Sequence, residues 1–159
     1  MTKAELEVIR FRQMQSSDLT TFLQLGSLTC GSLHRTANQD DADLLQRFTG
    51  FVKEYAFRPE SEVWIAHSHS DPYIGHLWLY RTYNRFNGNK ELWVWDISIS
   101  ERERGQGIGK ILMGYAEKRA VDLDCRELWL LVAEDNEVAK HLYESSGFYR
   151  KAQMLKRDL

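Results

Sequence analysis

Cysteine and proline are both scarce in this 159-residue chain, with two of each. Cys30 and Cys125 lie far apart without paired spacing, which excludes a disulfide framework or a cysteine zinc site and points to free thiols in a reducing compartment. Pro59 and Pro72 stand where turns are expected, and no Pro/Gly/Ser-rich linker, internal repeat or low-complexity tract divides the chain. It therefore reads as one domain over residues 1–159. Long hydrophobic runs are missing too: the longest strongly apolar stretch, residues 128–133, is far too short to cross a bilayer. Residues 1–7 carry acidic side chains and no apolar core, so they do not read as a secretory leader, and the cytoplasm is the expected location. Positive charge is not in excess either, since the net charge of −2 gives no basic footprint for nucleic acid.

What is present is the make-up of an ordinary globular protein, with 43% hydrophobic, 12% aromatic and 28% charged residues. A first strand is predicted over residues 8–14. A helix N-cap at Ser17-Asp18 then opens a helical region ending near Phe57, which Gly26, Gly31 and Gly50 are expected to break into pieces. Three runs rich in β-branched and aromatic residues follow, at 63–67, 74–83 and 92–99. Asp71-Pro72 supplies the turn between the first two, and Asn87-Gly88 suits a type I′ hairpin between the second and third. From Gly109 the apolar period becomes 3.6, with Ile111, Leu112, Tyr115 and Ala116 on one stripe of an amphipathic helix. A strand at 128–132, a helix from Asn136 to about Ser145 stopped by Gly147, and a last strand at 148–155 complete the order. The order β-α-α-β-β-β-α-β-α-β is that of a mixed α/β (α+β) fold, a sheet flanked by helices.

The sharpest local feature is Arg104-Gly105-Gln106-Gly107-Ile108-Gly109-Lys110, between a predicted strand and a predicted helix. Glycines allow close backbone approach to an anion, and amides at a helix start point outward with about half a positive charge, so a pyrophosphate is the natural ligand. Ile111 follows Gly109-Lys110 where a P-loop needs Ser or Thr, and Leu112 stands where the dinucleotide fingerprint needs its last glycine, so both of those readings fail. What remains is Arg-x-x-Gly-x-Gly. It resembles the acyl-CoA motif of the GNAT acetyltransferase superfamily, Gln/Arg-x-x-Gly-x-Gly/Ala, and the order of elements resembles the same family's mixed, mostly antiparallel sheet. Downstream, Asn136-Glu137-Val138-Ala139-Lys140-His141-Leu142-Tyr143-Glu144-Ser145-Ser146-Gly147-Phe148 resembles that family's Asn-x-x-Ala-x-x-Leu-Tyr-x-x-x-Gly-Phe segment at every fixed letter.

The resemblance implies acetyl-CoA as cofactor, with residues 104–110 on its pyrophosphate and the backbone of Ile97, Ser98 and Ile99 pairing with pantetheine like an added strand. Glu101, where many members have proline, departs from the pattern and bears on loop stiffness. The resemblance further implies that Asn136 hydrogen-bonds the cofactor and that Tyr143 protonates the departing thiolate. Seven residues apart, Asn136 and Tyr143 share one helix face, and a phenol of pKa about 10 can serve a thiol of about 8.5. A helix N-cap and a core aromatic are the plainer readings of the two.

The acceptor amine must lose a proton. Glu91 matches the general-base glutamate of the histone acetyltransferase branch, and Asp96 is a second carboxylate on the same strand; a solvated carboxylate beside the hairpin is the plainer reading of Glu91. Asp40, Asp41 and Asp43 read as a solvated face that could also draw in a cation, and His67 with His69 lacks a third metal ligand. The expected activity is N-acetylation of a primary amine on a small molecule, peptide or protein, with a homodimer left open as an assembly. A non-catalytic acyl-CoA-binding sensor or interaction module is the alternative.

Overall fold

The computed structural model describes residues 8–159; the stretch 1–7, read above as no leader, lies outside the described residues. The fold is mixed α/β, with a five-stranded, mostly antiparallel sheet flanked by four helices. Strands β1 (Arg10–Gln13), β2 (Ser61–His67), β3 (Gly75–Tyr83) and β4 (Lys90–Ile99) pair antiparallel in sequence order, and β5 (Glu127–Leu130) lies parallel to β4. A parallel neighbour requires a crossover, which helix α3 (Ile108–Asp122) provides. Helices α1 (Leu19–His34) and α2 (Asp41–Tyr55) cover one face. On the other face α3 and α4 (Glu137–Ser145) pack with Leu77, Leu79, Leu92 and Val94, while Ile65 and Trp78 point to the α1/α2 side. No described helix is long and apolar enough to cross a membrane.

Several expectations need correction. Residues 148–155 form no strand: Phe148 still packs on the core, but Tyr149, Met154 and Leu155 are exposed. The segment has no β-branched residue and carries Arg150-Lys151 where a buried strand would need apolar side chains. The β3–β4 hairpin exists, but as a six-residue loop, 84–89, in which Gly88 has φ of 74° and Asn87 does not take a positive φ. The Asn84 side chain organises it by accepting from the amides of Phe86 and Asn87, so the two-residue turn is not needed. Asp18 does not cap α1; buried, it accepts Arg12 Nη1 and Nη2 at 2.6 and 2.8 Å and so ties the helix entry to β1. Arg12 thereby holds the Asp18 carboxyl below its ordinary range.

The expected glycine breaks are also absent. Gly26, Gly31 and Gly50 all lie inside helices, and the chain instead turns at residues 35–40, where Asp40 caps α2 by accepting from the Asp43 amide at 2.8 Å. Gly26 is small because of its neighbours: a Cβ there would sit 2.5 Å from Phe48 Cζ and 2.6 Å from Asp96 Oδ2. A Cβ on Gly50 would meet nothing within 4 Å. The same substitution should therefore have opposite signs at the two sites. Gly50→Ala should stabilise the fold by about 0.5–1 kcal/mol through helix propensity. Gly26→Ala should destabilise it, because overpacking costs about 1–3 kcal/mol and exceeds that gain. Urea midpoints check both, and a more stable Gly26→Ala would mean that α1 can shift off the sheet without strain.

Candidate active site

Strand β4 has ten residues, but β5 pairs with it only from Glu91 to Val94. From Trp95 onward the two strands part, and among the described residues no strand lies along that side of β4. The register with β3 slips at the same place, Leu79 facing Val94 and Trp78 facing Asp96, so Trp95 is the extra residue of a bulge. The bulge turns Trp95 and Asp96 to the same α1/α2 face, where side chains would otherwise alternate. The parting opens a cavity of about 570 Å³ whose walls include Thr29 and Cys30 of α1, Phe51 of α2, Trp95 and Asp96 of β4, and Asn136 and Tyr143 beyond β5.

Backbone alternation along β4 decides what this opening offers. The amide of Ser100 donates to the Ile74 carbonyl at 2.9 Å, so the polar backbone groups of Ser98 turn toward β3 and those of Ile97 and Ile99 turn outward, to the parted side. Of the three residues expected to meet pantetheine, two thus present main-chain groups to the gap. The Ile99 carbonyl accepts from Arg104 Nε at 3.1 Å, which fixes the end of β4 to the glycine loop.

That loop runs from a short 3-10 turn at Glu101–Glu103 to the start of α3. Gly105 and Gly107 have φ of 75° and 80°, and a Cβ on either would meet nothing within 4 Å; the loop is shaped by backbone conformation and leaves open space above it. Gly107 is the N-cap, and the first amides of α3, at Ile108 and Gly109, precede the first bonds back to the Gly107 carbonyl, made by Lys110 and Ile111. Gly109 acts differently, since a Cβ there would lie 2.8 Å from Leu142 Cδ2, and its absence lets α4 pack against α3. Gln106 folds back, donating to the Arg102 carbonyl at 3.2 Å, while Lys110 is exposed. Arg102 pairs with Asp71 at 2.6 Å, bracing the loop against the β2–β3 turn.

Asn136 and Tyr143, expected to share a helix face, both line the cavity. The Asn136 side-chain oxygen accepts from the Ala139 amide at 3.1 Å as the cap of α4, which leaves its amide nitrogen as a donor. Tyr143 is buried, and burial, with the negative charge of Asp96 second, pushes its phenol up to about 12. The same two causes push the Cys30 thiol up to about 12, so this cysteine stays protonated at neutral pH and is a poor nucleophile.

The two carboxylates of β4 lie in different surroundings. Glu91 is buried at the head of the strand, accepting from Asn84 Nδ2 at 2.7 Å and Trp93 Nε1 at 3.3 Å, and it is not among the residues lining the cavity. Asp96 is among them, although only 3% exposed. Asp40, Asp41 and Asp43 are not; Asp40 and Asp43 cap α2, and Asp41 pairs with Arg35. Sequence reading missed Phe51, which joins Trp95 as an aromatic wall at 5.2 Å, and His76, fully buried beside Asp96. The available signal for His76 was a lone imidazole among the apolar and aromatic residues 74–80, matched by the carboxylate of Asp96 within the apolar and aromatic run of the next predicted strand, 92–99.

The sequence profile described as the acetyltransferase (GNAT) family matches residues 27–148. The uncharacterised N-acetyltransferase YycN of Bacillus subtilis is 25% identical over 122 residues, 76% of this chain and 77% of that one. Streptothricin acetyltransferase of Streptomyces lavendulae is 38% identical, but over 60 residues, 38% of this chain and 32% of the relative. Among solved structures, a putative acetyl transferase from Pyrococcus furiosus superimposes with a TM-score of 0.80 at 20% identity, over 96% of this chain and all (100%) of the other. The B. subtilis YycN structure gives 0.74 at 23% identity, over 96% and 99% of the two chains.

Proposed function

Because the chain belongs to the acetyltransferase (GNAT) family, we propose that it transfers the acetyl group of acetyl-CoA to a primary amine of a small molecule, peptide or protein. The observation that carries this reading is the parting of β4 from β5 after Val94, which leaves an open strand edge leading to a glycine loop at a helix start, beside a cavity lined by Asp96, Asn136 and the buried Tyr143. The residues fit the cofactor. The Gly105–Gly107 stretch, with space where side chains would stand, and the first amides of α3 would take the pyrophosphate, and the outward groups of Ile97 and Ile99 would take the pantetheine amides. The backbone of Ser98 turns to β3 and its side chain bonds Thr29 and Asp96, so it lies outside this set, and Asn136 would donate from its free amide nitrogen. When bound, acetyl-CoA supplies the activated acetyl group.

The chain's own part is to hold and move protons. Tyr143 keeps its phenolic hydrogen at neutral pH and would offer it to a departing thiolate in the cavity it lines. Burial that raises the phenol also raises a thiolate formed beside it, so the hydrogen bond favours departure. The amine's proton needs a carboxylate; Glu91 and Asp96 both remain candidates, and Asp96 is the one that lines the cavity with Tyr143.

Thermal unfolding with ligands tests the reading. A ligand that binds only the folded state at 100 times its Kd adds about 2.7 kcal/mol, so acetyl-CoA should raise the Tm by several degrees, with ATP and NAD doing much less. Stabilisation by nucleotides and not by acetyl-CoA would remove the acyl-CoA assignment, whereas binding without thiol release across an amine panel would leave only a sensor.

A further inference from the structure

Behind the cavity wall a line of polar side chains runs through the most apolar part of the sheet. Thr29 Oγ1, exposed to the cavity, lies 3.2 Å from the Leu25 carbonyl and shares a shorter hydrogen bond of 2.7 Å with Ser98 Oγ, which donates to Asp96 Oδ1 at 3.0 Å. Asp96 Oδ2 lies 2.7 Å from His76 Nε2, and His76 Nδ1 lies 2.7 Å from the Tyr73 hydroxyl. Burial raises the Tyr73 phenol far above its ordinary value, so it stays protonated and donates to Nδ1. The remaining imidazole hydrogen is then on Nε2 and donates to Asp96, which fixes the tautomer.

A core does not need this line. His76 is 0% and Asp96 3% exposed, among Phe22, Ile65 and Trp78, where apolar side chains of similar size would serve stability as well or better. The fold also makes room for it. Helix α1 carries Gly26 where a Cβ would stand 2.6 Å from Asp96 Oδ2, and the Trp95 bulge brings Asp96 round to the cavity face. The line reaches the cavity only at its Thr29–Asp96 end.

We infer that Thr29, Ser98 and Asp96 form the path by which the acceptor amine loses its proton, with His76 and Tyr73 as positioning residues that hold Asp96. This rests on the amine-acetylation reading above. The amine N–H breaks and its proton passes to Thr29 Oγ1 as the Thr29 hydrogen, turned from the Leu25 carbonyl toward Ser98, passes to Ser98 Oγ and the Ser98 hydrogen to Asp96 Oδ1. Both hydroxyls are regenerated, Asp96 ends as a carboxylic acid, and the proton returns to solvent after turnover.

The titratable groups facing Asp96 are His76 from β3, Tyr73 from the turn before it, Cys30 from α1 and Tyr143 from α4. Burial keeps the last three protonated through neutrality.

The test is kcat/KM against pH with acetyl-CoA and whichever primary amine turns over fastest among butylamine, phenethylamine, spermidine and a lysine peptide, beside CoA affinity by calorimetry. Asp96→Asn should lose about 10²-fold at neutral pH, closing as pH approaches the amine's own pKa. Ser98→Ala and Thr29→Val, small changes that keep the fold, should show smaller deficits with the same pH dependence and unchanged CoA affinity. His76→Leu should lower kcat with KM and CoA affinity kept, since Asp96 loses the donor that orients it, and His76→Gln, which keeps a side-chain donor, should restore it. Profiles parallel to wild type in Ser98→Ala and Thr29→Val overturn the path, as does a pH-dependent deficit in Glu91→Gln with none in Asp96→Asn. Retained CoA affinity with no turnover of any amine by the wild type would sink the acetylation reading itself, a separate failure from loss of the path.

Discussion

Gly107→Asp should abolish CoA binding while leaving the protein folded. Gly107 is exposed, in a left-handed conformation with φ of 80°, and a Cβ there meets no protein atom within 4 Å. The fold therefore loses only the backbone preference, about 1–2 kcal/mol, out of a total stability of about 5–15 kcal/mol. The cofactor meets a carboxylate where its pyrophosphate would lie. Two like charges about 4 Å apart at an effective dielectric near 20 repel by about 4 kcal/mol, which is roughly a 10³-fold loss of affinity before any steric term. Gly107→Asn is the control, because it repeats the backbone cost without the charge and should bind far better than Asp. Calorimetry with CoA on variants of unchanged circular dichroism reads both. Wild-type affinity in a folded Gly107→Asp would move the phosphate site away from this loop.

Tyr143→Phe should lower kcat by about 10²-fold and leave acetyl-CoA affinity nearly unchanged. The ring is buried in the α3/α4 core beside Phe148, 6.0 Å between centroids, so phenylalanine keeps the packing and deletes only the hydroxyl. Since burial pushes the phenol up to about 12, the group is protonated over the whole working range, and an alkaline decline of kcat below that value must come from another residue. A role in ground-state binding predicts the reverse split, a raised KM with kcat kept. Wild-type kcat in the variant, measured by thiol release on a true acceptor, would return Tyr143 to a packing role.

Most of the elements were legible in the sequence because their signals are local. The period-3.6 stripe of α3, the glycine after α4 and the aromatic, β-branched runs of β2, β3 and β4 each reflect the chain's own geometry, and all three strands form where those runs stand. The glycine loop was legible for the same reason: positive φ and close approach are properties of single residues and their immediate neighbours. Where local signals misled, tertiary contacts had overridden them. Gly26 and Gly31 look like helix breakers but sit mid-helix, since Phe48, Asp96 and Leu44 pass where a Cβ would be. Residues 148–155 resembled a strand by position alone, and with Phe148 as the one residue held to the core the segment stays exposed.

The sequence by itself determined the kind of protein this is: two motifs with every fixed letter in place, in the right order along a chain of alternating strands and helices. Local chemistry sufficed for that, because a loop's conformation and a helix face depend on residues a few positions apart. Only the tertiary structure decided which carboxylate faces the cavity, that Gly109 serves packing between α3 and α4, and that Asp96 has a buried imidazole and phenol behind it. Those facts depend on one extra residue at Trp95, which reverses the facing of every later side chain in β4, and on contacts between residues up to 69 positions apart. A bulge is a property of two strands in register, and the sequence of one strand does not contain it.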